Sequence, residues 1–348
     1  EFTKRALLNG KMSLTQAESV SDMISSQNKQ AINSAKAQMD GALYKKINNC
    51  KTELLKIAGA ISAYVDYPED DIPEIQTENL KKSLTSILKN VDNLVKSYDS
   101  GKLIRQGIET VIVGKPNVGK STLMNLLVGE EKSIVTEIAG TTRDIIEETV
   151  ILNDIMLKLS DTAGIRETGD TIEKMGVNLA KKRLENASLV LAVFDGSTKI
   201  NEDDLQIISA IGDKPCIAII NKNDLSSQID IKKIKTYFKN IIEISAKNED
   251  ETLNNSSLIK LENEIKNILK LNNFDITSGI IVNERQRECI ILAQAALVEA
   301  ENAVSIGMTL DAVEISIESA IDSLLELTGE RITVEVVNQV FSHFCVGK

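Results

Sequence analysis

Residues 114–121 read GKPNVGKS, and the segments on either side decide which fold carries them. TVIV precedes this stretch and has the β-branched composition of a buried strand, whereas TLMNLLVG follows it with the spacing of a helix. A glycine-rich loop between a strand and a helix is the context of a phosphate-binding loop. We call residues 114–121 the phosphate loop, and a chance glycine-rich turn is the alternative.

Within the phosphate loop each residue type has a predicted role. Gly114 and Gly119 let the backbone wrap phosphate groups with its N–H groups. Lys120 would reach the β and γ phosphates, and the Ser121 hydroxyl would bind Mg²⁺. The residues of the loop and the first helical turn that we assign to the nucleotide are Asn117, Val118, Gly119, Lys120, Ser121 and Thr122.

Two further segments point to the γ phosphate and its metal ion. DTAG at residues 161–164 ends the apolar run IMLKLS, where Asp161 can hold Mg²⁺ through water and Gly164 can donate a backbone hydrogen bond to the γ phosphate. GTTRD at residues 140–144 supplies Thr142, which could complete the Mg²⁺ shell. These segments favour nucleotide hydrolysis over a chance turn.

Two more segments select the base. NKND at residues 221–224 follows CIAII, and the Asp224 carboxylate can accept hydrogen bonds from N1 and N2 of guanine, a donor pair that adenine lacks. Ser245, Ala246 and Lys247 follow IIEI and offer a backbone N–H to the guanine carbonyl. The tetrad NKND also contributes Asn221 and Lys222 to the predicted site. The order and spacing of all these segments are typical of a translation-factor-like GTPase domain.

The rest of the chain predicts a helical domain around this α/β domain. Valine- and isoleucine-rich runs between residues 110 and 245 indicate a mostly parallel sheet with helices on both faces. Before them, apolar residues at steps of three and four from Ile32 to Tyr64 predict one long helix, and Ser13 with Gln16 predicts a capping box. We therefore expect a helical domain in two parts, residues 1–106 and 276–348, with a GTPase domain inserted at residues 107–275.

Composition narrows the class of protein further. The 348 residues carry a net charge of −11, so the surface as a whole should repel a polyphosphate. Any nucleic acid would therefore bind to a local part of the surface or through a partner protein. No apolar run is long enough to span a bilayer, and the start does not resemble a signal sequence, so we expect a cytoplasmic protein. The four cysteines form no CxxC pair, which disfavours zinc and disulfides. Because the sequence starts at Glu1, we expect it to be part of a longer chain.

The departures from the Ras-like pattern concern catalysis. The residue after DTAG is Ile165, which cannot orient water as a glutamine would. Arg143 and Arg166 are basic candidates in loops, but each can equally be a solvated charge. The side-chain carbonyl of Asn117 could instead hold a monovalent cation such as K⁺ against the phosphates. An ordinary loop-stabilising side chain is the alternative.

Seven segments together resemble the MnmE (TrmE) family of tRNA modification GTPases over essentially the whole chain. They are TKRALLNGKMSLTQAE, GKPNVGKS, AGTTRD, DTAGIRE, NKND, SAK and FCVGK. The family also inserts its GTPase domain within a helical domain. Its amino-terminal domain, which binds formyl-tetrahydrofolate and dimerises, does not match any part of this sequence, so we expect folate binding only in a full-length protein.

The resemblance implies a K⁺-dependent GTPase that dimerises through its GTPase domains. Asn117 resembles the K⁺ ligand, and the loop from Thr136 to Thr142 would close over K⁺ and Mg²⁺. Glu173 matches the glutamate that orients water through an intermediary, although by itself it reads as a surface carboxylate. With MnmG, a partner that uses FAD, the family modifies carbon 5 of the wobble uridine of tRNA. The residues expected to act in catalysis are Glu173, Lys120 and Thr142, those expected to bind Mg²⁺ are Ser121 and Thr142, and those expected to bind K⁺ are Asn117, Thr136, Ile138 and Thr141.

Cys345 and the alternative functions stay open at this stage. The family ends in a similar way near its folate and modification site, so Cys345 is a candidate functional thiol, with a small buried hydrophobic side chain as the alternative. A ribosome-assembly GTPase of the Era or EngA kind would need a KH-type domain or a second phosphate loop, and neither is visible in the sequence. An interaction scaffold timed by GTP stays possible on sequence grounds.

Overall fold

The computed structural model describes residues 2–67, 73–128, 147–152, 154–160, 184–247, 254–271, 275–331 and 340–341. The chain divides into two compact units. One unit, Glu1–Arg105 with Phe274–Lys348, is called the helical unit; the other, Gln106–Asn273, is called the sheet unit. Within the described ranges, no helix combines the length and apolar character that a membrane-crossing segment needs.

The helical unit is built from long amphipathic helices. Ser13 and Gln16 form the predicted capping box at the start of the second helix, because each side chain bonds the other residue's backbone N–H. The helices are α1 Phe2–Leu8, α2 Leu14–Ser25, α3 Lys29–Met39, α4 Ala42–Asp66, α5 Thr77–Gln106, α10 Glu284–Ser305 and α11 Leu310–Thr328, with a 3₁₀ turn at Ile276–Ser278.

The prediction of one long helix from Ile32 to Tyr64 is wrong, because the chain breaks between α3 and α4. Gly41 has a φ of 83°, a left-handed conformation that a helix interior does not allow. Gln16 Nε2 donates a hydrogen bond of 2.9 Å to the Met39 carbonyl, so a tertiary contact satisfies the end of α3. Ile32 and Met39, which were expected on the buried face, are 43% and 37% exposed.

The core of the helical unit lies between α4, α5, α10 and α11. Every third or fourth residue of these helices is buried, as their apolar spacing predicts. Ile315 is an exception, since it was expected on the apolar face of α11 but is 68% exposed. Fully buried members of this core include Leu43, Leu84, Leu297 and Ile317.

The sheet unit contains a mostly parallel sheet, as predicted. Over the described residues the strand order is β2-β3-β1-β4-β5-β6, and β2 alone runs antiparallel to its neighbour. The sequence did not predict β2. The strands are β1 Ile108–Val113, β2 Glu147–Leu152, β3 Ile155–Ser160, β4 Leu189–Asp195, β5 Cys216–Asn221 and β6 Asn240–Glu243, and the helices are α6 Lys120–Val128, α7 Glu202–Ile211, α8 Ile231–Tyr237 and α9 Asn254–Ile268.

Parallel pairing places the functional loops at one edge of the sheet. The phosphate loop follows β1, the NKND tetrad begins at the end of β5, and Ser245 lies just after β6. Because parallel strands share one direction, their carboxyl ends meet at the same edge, where open α/β sheets bind ligands. β4 and β5 are buried along their whole length, which holds these ends in place.

Candidate nucleotide site

The phosphate loop is closely packed, and its backbone carbonyls hold the Lys120 side chain. Gly119 has a φ of 101°, and a Cβ atom there would lie 2.1 Å from Asn221 Nδ2, so no other residue fits. Lys120 Nζ donates to the carbonyls of Gly114 and Lys115 at 2.8 and 2.9 Å. The lysine is therefore folded back over its own loop, where the β and γ phosphates of a nucleotide would lie.

The first turn of α6 presents groups suited to phosphate and Mg²⁺. α6 begins at Lys120, so the N–H groups of its first turn have no partners within the helix and carry a partial positive charge. Ser121 and Thr122 are exposed in that turn. An exposed hydroxyl beside a phosphate position is the type of ligand that Mg²⁺ uses in phosphate-loop proteins.

Asn117 adopts a left-handed backbone conformation, with a φ of 64°. Lys222 Nζ donates a hydrogen bond of 2.9 Å to the Asn117 carbonyl and forms an ion pair of 2.5 Å with Asp195. Asp195 also accepts hydrogen bonds from Ser197. Burial would raise the pKa of Asp195, but the hydrogen bonds from Lys222 and Ser197 outweigh it, so the pKa lies below its ordinary value.

Asn221 joins three loops of the site. Its side chain is buried, donates to the Val118 carbonyl at 2.9 Å and accepts from the Ala246 N–H at 3.0 Å. The phosphate loop, the NKND tetrad and the segment at residues 245–247 thus meet on one amide. The Ala246 N–H is already paired in this arrangement, while Lys247 is exposed beside it.

Asp224 lies at the exposed end of the same group of loops. Ser245 Oγ donates a hydrogen bond of 2.5 Å to Asp224 Oδ1, which orients the carboxylate. An oriented, exposed carboxylate can accept two parallel N–H bonds from a planar base. The arrangement can hold phosphates at the phosphate loop and a guanine-like donor pair at Asp224.

Sequence reasoning did not single out two carboxylates that are connected to the phosphate loop through lysine side chains. One is Asp195, at the end of β4, and the other is Asp204, in the first turn of α7, whose Oδ2 lies 2.9 Å from Lys115 Nζ. The residues NEDD at 201–204 have the form of a capping box, which is a local signal for a helix start. No local pattern indicates that Asp204 also meets a lysine 89 positions away.

Several predicted site residues lie outside the described residues. They are Thr136, Ile138, Thr141, Thr142, Asp161, Gly164, Glu173 and Cys345, together with the candidates Arg143, Ile165 and Arg166.

Three cysteines are described, and all are free and buried. Burial raises the pKa of Cys50 and Cys289 to about 11 and that of Cys216 to about 12, so these thiols are neutral at pH 7. Cys216 belongs to the core of the sheet unit, as its place in an apolar strand predicts.

A mostly parallel sheet with a phosphate loop after β1 and an NKND tetrad that begins at the end of β5 defines a phosphate-loop GTPase, inserted into the sequence of a helical unit. The family model described as the MnmE helical domain matches residues 14–345. The tRNA modification GTPase MnmE of Clostridioides difficile is 39% identical over 351 residues, which cover 100% of this chain and 75% of the relative. The MnmE proteins of Natranaerobius thermophilus and Acetivibrio thermocellus are each 40% identical, with the same coverage. The chain belongs to the MnmE family of tRNA modification GTPases.

Solved structures with similarity to the chain include other GTPases. An Aquifex aeolicus Era variant bound to GDP and AlF₄⁻ is 30% identical, with a TM-score of 0.35 over 54% of this chain and 65% of that chain. The G domain of the T. maritima FeoB iron transporter is 21% identical, with a TM-score of 0.34 over 46% of this chain and 96% of that chain. The family assignment rests on the sequence relatives and not on these structures.

Proposed function

We propose that the chain is a K⁺-activated GTPase of tRNA modification, which acts with an MnmG-type FAD protein on carbon 5 of the wobble uridine. Membership of the MnmE family supports the tRNA role. In the hydrolysis step water attacks the γ phosphate and the bond to the β-phosphate oxygen breaks, so negative charge builds up between the two phosphates. Something positive must stabilise that charge.

The K⁺ proposal rests on the side chain of Asn117. Its side chain is exposed and makes no hydrogen bond to any residue in the described ranges, so it is not used to brace the loop there. The Lys222 ammonium instead holds the Asn117 backbone carbonyl in place. A fixed backbone with an unused side-chain amide suits a ligand of a monovalent cation. Asn117 with Thr136, Ile138 and Thr141 would hold K⁺, and Ser121 with Thr142 would hold Mg²⁺.

Hydrolysis rates of the full chain in KCl and in NaCl test the K⁺ proposal. We expect K⁺ to accelerate hydrolysis by about tenfold or more over Na⁺, because Na⁺ is too small for ligands spaced for K⁺. Asn117→Ala should make the two salts equivalent. Asn125→Ala is the matched control, because it removes an exposed side-chain amide that lies on α6 and not in the phosphate loop. This variant should keep the K⁺ response. Equal rates in the two salts for the unaltered chain would end the cation mechanism and leave the GTPase assignment intact.

Assembly and catalysis are proposed on the family resemblance. Closure of the loop at residues 136–142 over K⁺ would build the surface on which two GTPase domains, proposed at residues 107–275, meet. Glu173 would orient the attacking water through an intermediary. Sedimentation with GDP and aluminium fluoride in K⁺ and in Na⁺ tests the dimer, and equal dimer fractions in the two salts would contradict it.

The tRNA role is tested in cells of the source organism that lack the gene. Mass spectrometry of their tRNA should show loss of the carbon-5 group of the wobble uridine, restored by the intact gene and not by a Lys120→Ala variant. Unchanged tRNA with a ribosome-assembly defect would favour the Era-like alternative, and unchanged tRNA without one would favour a scaffold. The acidic chain, with a net charge of −11, suits a division of labour in which the partner makes most phosphate contacts.

Folate binding and the role of Cys345 belong to the same proposal. Formyl-tetrahydrofolate would bind the full-length protein, and Cys345 would lie near the modification site. Cys345→Ser in that protein should abolish wobble modification and spare GTP hydrolysis, whereas normal tRNA would support the core-thiol alternative. A tRNA-modifying enzyme of this kind would act in the cytoplasm.

A further inference from the structure

A largely buried ion pair joins the phosphate loop to the helix that follows β4. Lys115 Nζ lies 2.9 Å from Asp204 Oδ2, and the side chains are 16% and 4% exposed. An ion pair on the surface contributes little to stability. Removal of one partner of a buried pair, in contrast, leaves an uncompensated buried charge. The two residues are 89 positions apart, so the contact exists only in the folded sheet unit.

Hydrogen bonds at the start of α7 hold Asp204 in place independently of Lys115. Its backbone N–H donates to Asn201 Oδ1 at 3.1 Å, and its Oδ2 accepts from the Asn201 N–H at 3.1 Å. This capping box accounts for the place of Asp204 in α7 without any lysine. The pairing with Lys115 is therefore an additional feature that the helix does not need.

Lys115 also contacts Lys120, the lysine expected to bind the β and γ phosphates. The Lys115 carbonyl accepts a hydrogen bond of 2.9 Å from Lys120 Nζ. The Lys115 side chain is held at Asp204, so its backbone carbonyl is held too, and the carbonyl in turn restrains the Lys120 ammonium. Two contacts, Asp204 with Lys115 and Lys115 with Lys120, thus connect the start of α7 to the head group of Lys120.

We propose that Asp204 is a positioning residue of the GTPase, which acts through Lys115 to hold Lys120 Nζ in place for the β and γ phosphates before the nucleotide binds. Preorganisation of this kind lowers the cost of ordering on binding. Since Lys120 meets phosphate in both the bound and the reacting state, loss of the restraint should weaken binding more than it slows the bound complex. The effect is independent of K⁺, so the K⁺ response should survive.

The test compares variants of two lysines in the full chain. Lys115→Met removes the ion pair and keeps the length of the side chain, and Lys115→Arg keeps the charge as a rescue. Lys266→Met is the matched control, because Lys266 forms a similarly buried pair with Glu262 in α9, with exposures of 18% and 8%, away from the phosphate loop. The measurements are the Kd of a non-hydrolysable GTP analogue, kcat with KM for GTP, and the melting temperature without nucleotide.

We expect Lys115→Met to raise the Kd of the analogue and the KM by about tenfold, the scale of a lost charge-assisted hydrogen bond, with kcat within about threefold. Lys115→Arg should restore most of the affinity, and Lys266→Met should lower only the melting temperature. A Kd for Lys115→Met within twofold of that for Lys266→Met would overturn the proposal, because a purely structural pair does not alter affinity well below the melting temperature.

A second variant decides the matter if Lys115→Met does not fold. Asp204→Asn removes the charge and keeps an oxygen for the Asn201 N–H, so the start of α7 should survive. We expect this variant to weaken analogue binding in the same direction. Unchanged affinity in folded Asp204→Asn would overturn the proposal.

Discussion

An ion pair in the sheet unit and one in the helical unit are built alike but hold different segments of backbone. In the sheet unit, Lys222 is held by Asp195 and donates its second hydrogen bond to the Asn117 carbonyl of the phosphate loop. In the helical unit, Arg285 is held by Glu18 and donates to carbonyls at the carboxyl end of α11. The first arrangement shapes a loop that would hold a ligand, and the second joins helix ends.

The burial of these pairs is similar, so burial alone does not reveal their role. Asp195 and Glu18 are 7% and 8% exposed. What differs is the segment of the chain whose backbone carbonyl accepts the further hydrogen bond of the cation. Loss of the Lys222 contact should therefore alter nucleotide binding, whereas loss of the Arg285 contact should alter stability only.

The largest effect is expected at Asp224. Asp224→Asn should weaken GTP by about 100-fold or more and favour xanthosine triphosphate, because the amide can no longer accept from both N1 and N2 of guanine. Titration with both nucleotides measures the switch. Asp230→Asn is the matched control, since it removes the same charge and leaves an asparagine that can still cap α8. Unchanged GTP affinity in Asp224→Asn would refute the base assignment.

The next effect concerns two arginines on α10 that lie two positions apart. Arg285→Met should lower the free energy of unfolding by about 3 kcal/mol, because it leaves the Glu18 carboxylate buried without its charge partner. Arg287→Met should stay close to the unaltered chain, since its pair with Glu284 is exposed. Chemical denaturation measures both. Neither variant should change nucleotide affinity, and a weakened affinity in Arg285→Met would break the contrast between the units.

The smallest effect is a pH dependence of opposite sign at two aspartates. Burial raises the pKa of Asp22 despite its pair with Arg105, whereas the pKa of Asp195 is lowered because hydrogen bonds from Lys222 and Ser197 outweigh burial. A raised folded-state pKa means that stability falls as pH rises through the window above the ordinary value of 3.8. A lowered one means that stability is present above 3.8 and is lost as pH falls through the folded-state pKa.

Melting curves between neutral and acid pH test this contrast with Asp22→Asn and Asp195→Asn. As the pH falls towards 3.8, the unaltered chain should gain stability relative to Asp22→Asn, because the buried carboxyl takes up its proton in the folded state. At still lower pH it should lose its advantage over Asp195→Asn. The same trend with pH for both variants would show that the two environments are alike.

The parts of the fold that depend on local patterns could be predicted. β4 and β5 are predictable because a strand buried on both faces is a continuous apolar run, as LVLAVFD and CIAIIN are up to the polar residue at their carboxyl ends. The capping box of Ser13 and Gln16 needs only three residues of spacing. β2 was not predicted because its sequence EETVIL begins with two charged residues, as an edge strand allows.

The sequence by itself determined the parallel strands of the sheet, the helical segments before and after them in the chain, and the composition of the phosphate loop, NKND and the segment at 245–247, because these depend on residue types at short spacing. Tertiary structure alone decided the break at Gly41, where Gln16 satisfies the end of α3, and the pairing of Lys115 with Asp204. The physical reason is that a hydrophobic pattern states that a face is buried but not against what. A lysine likewise carries no local sign of a carboxylate 89 residues away.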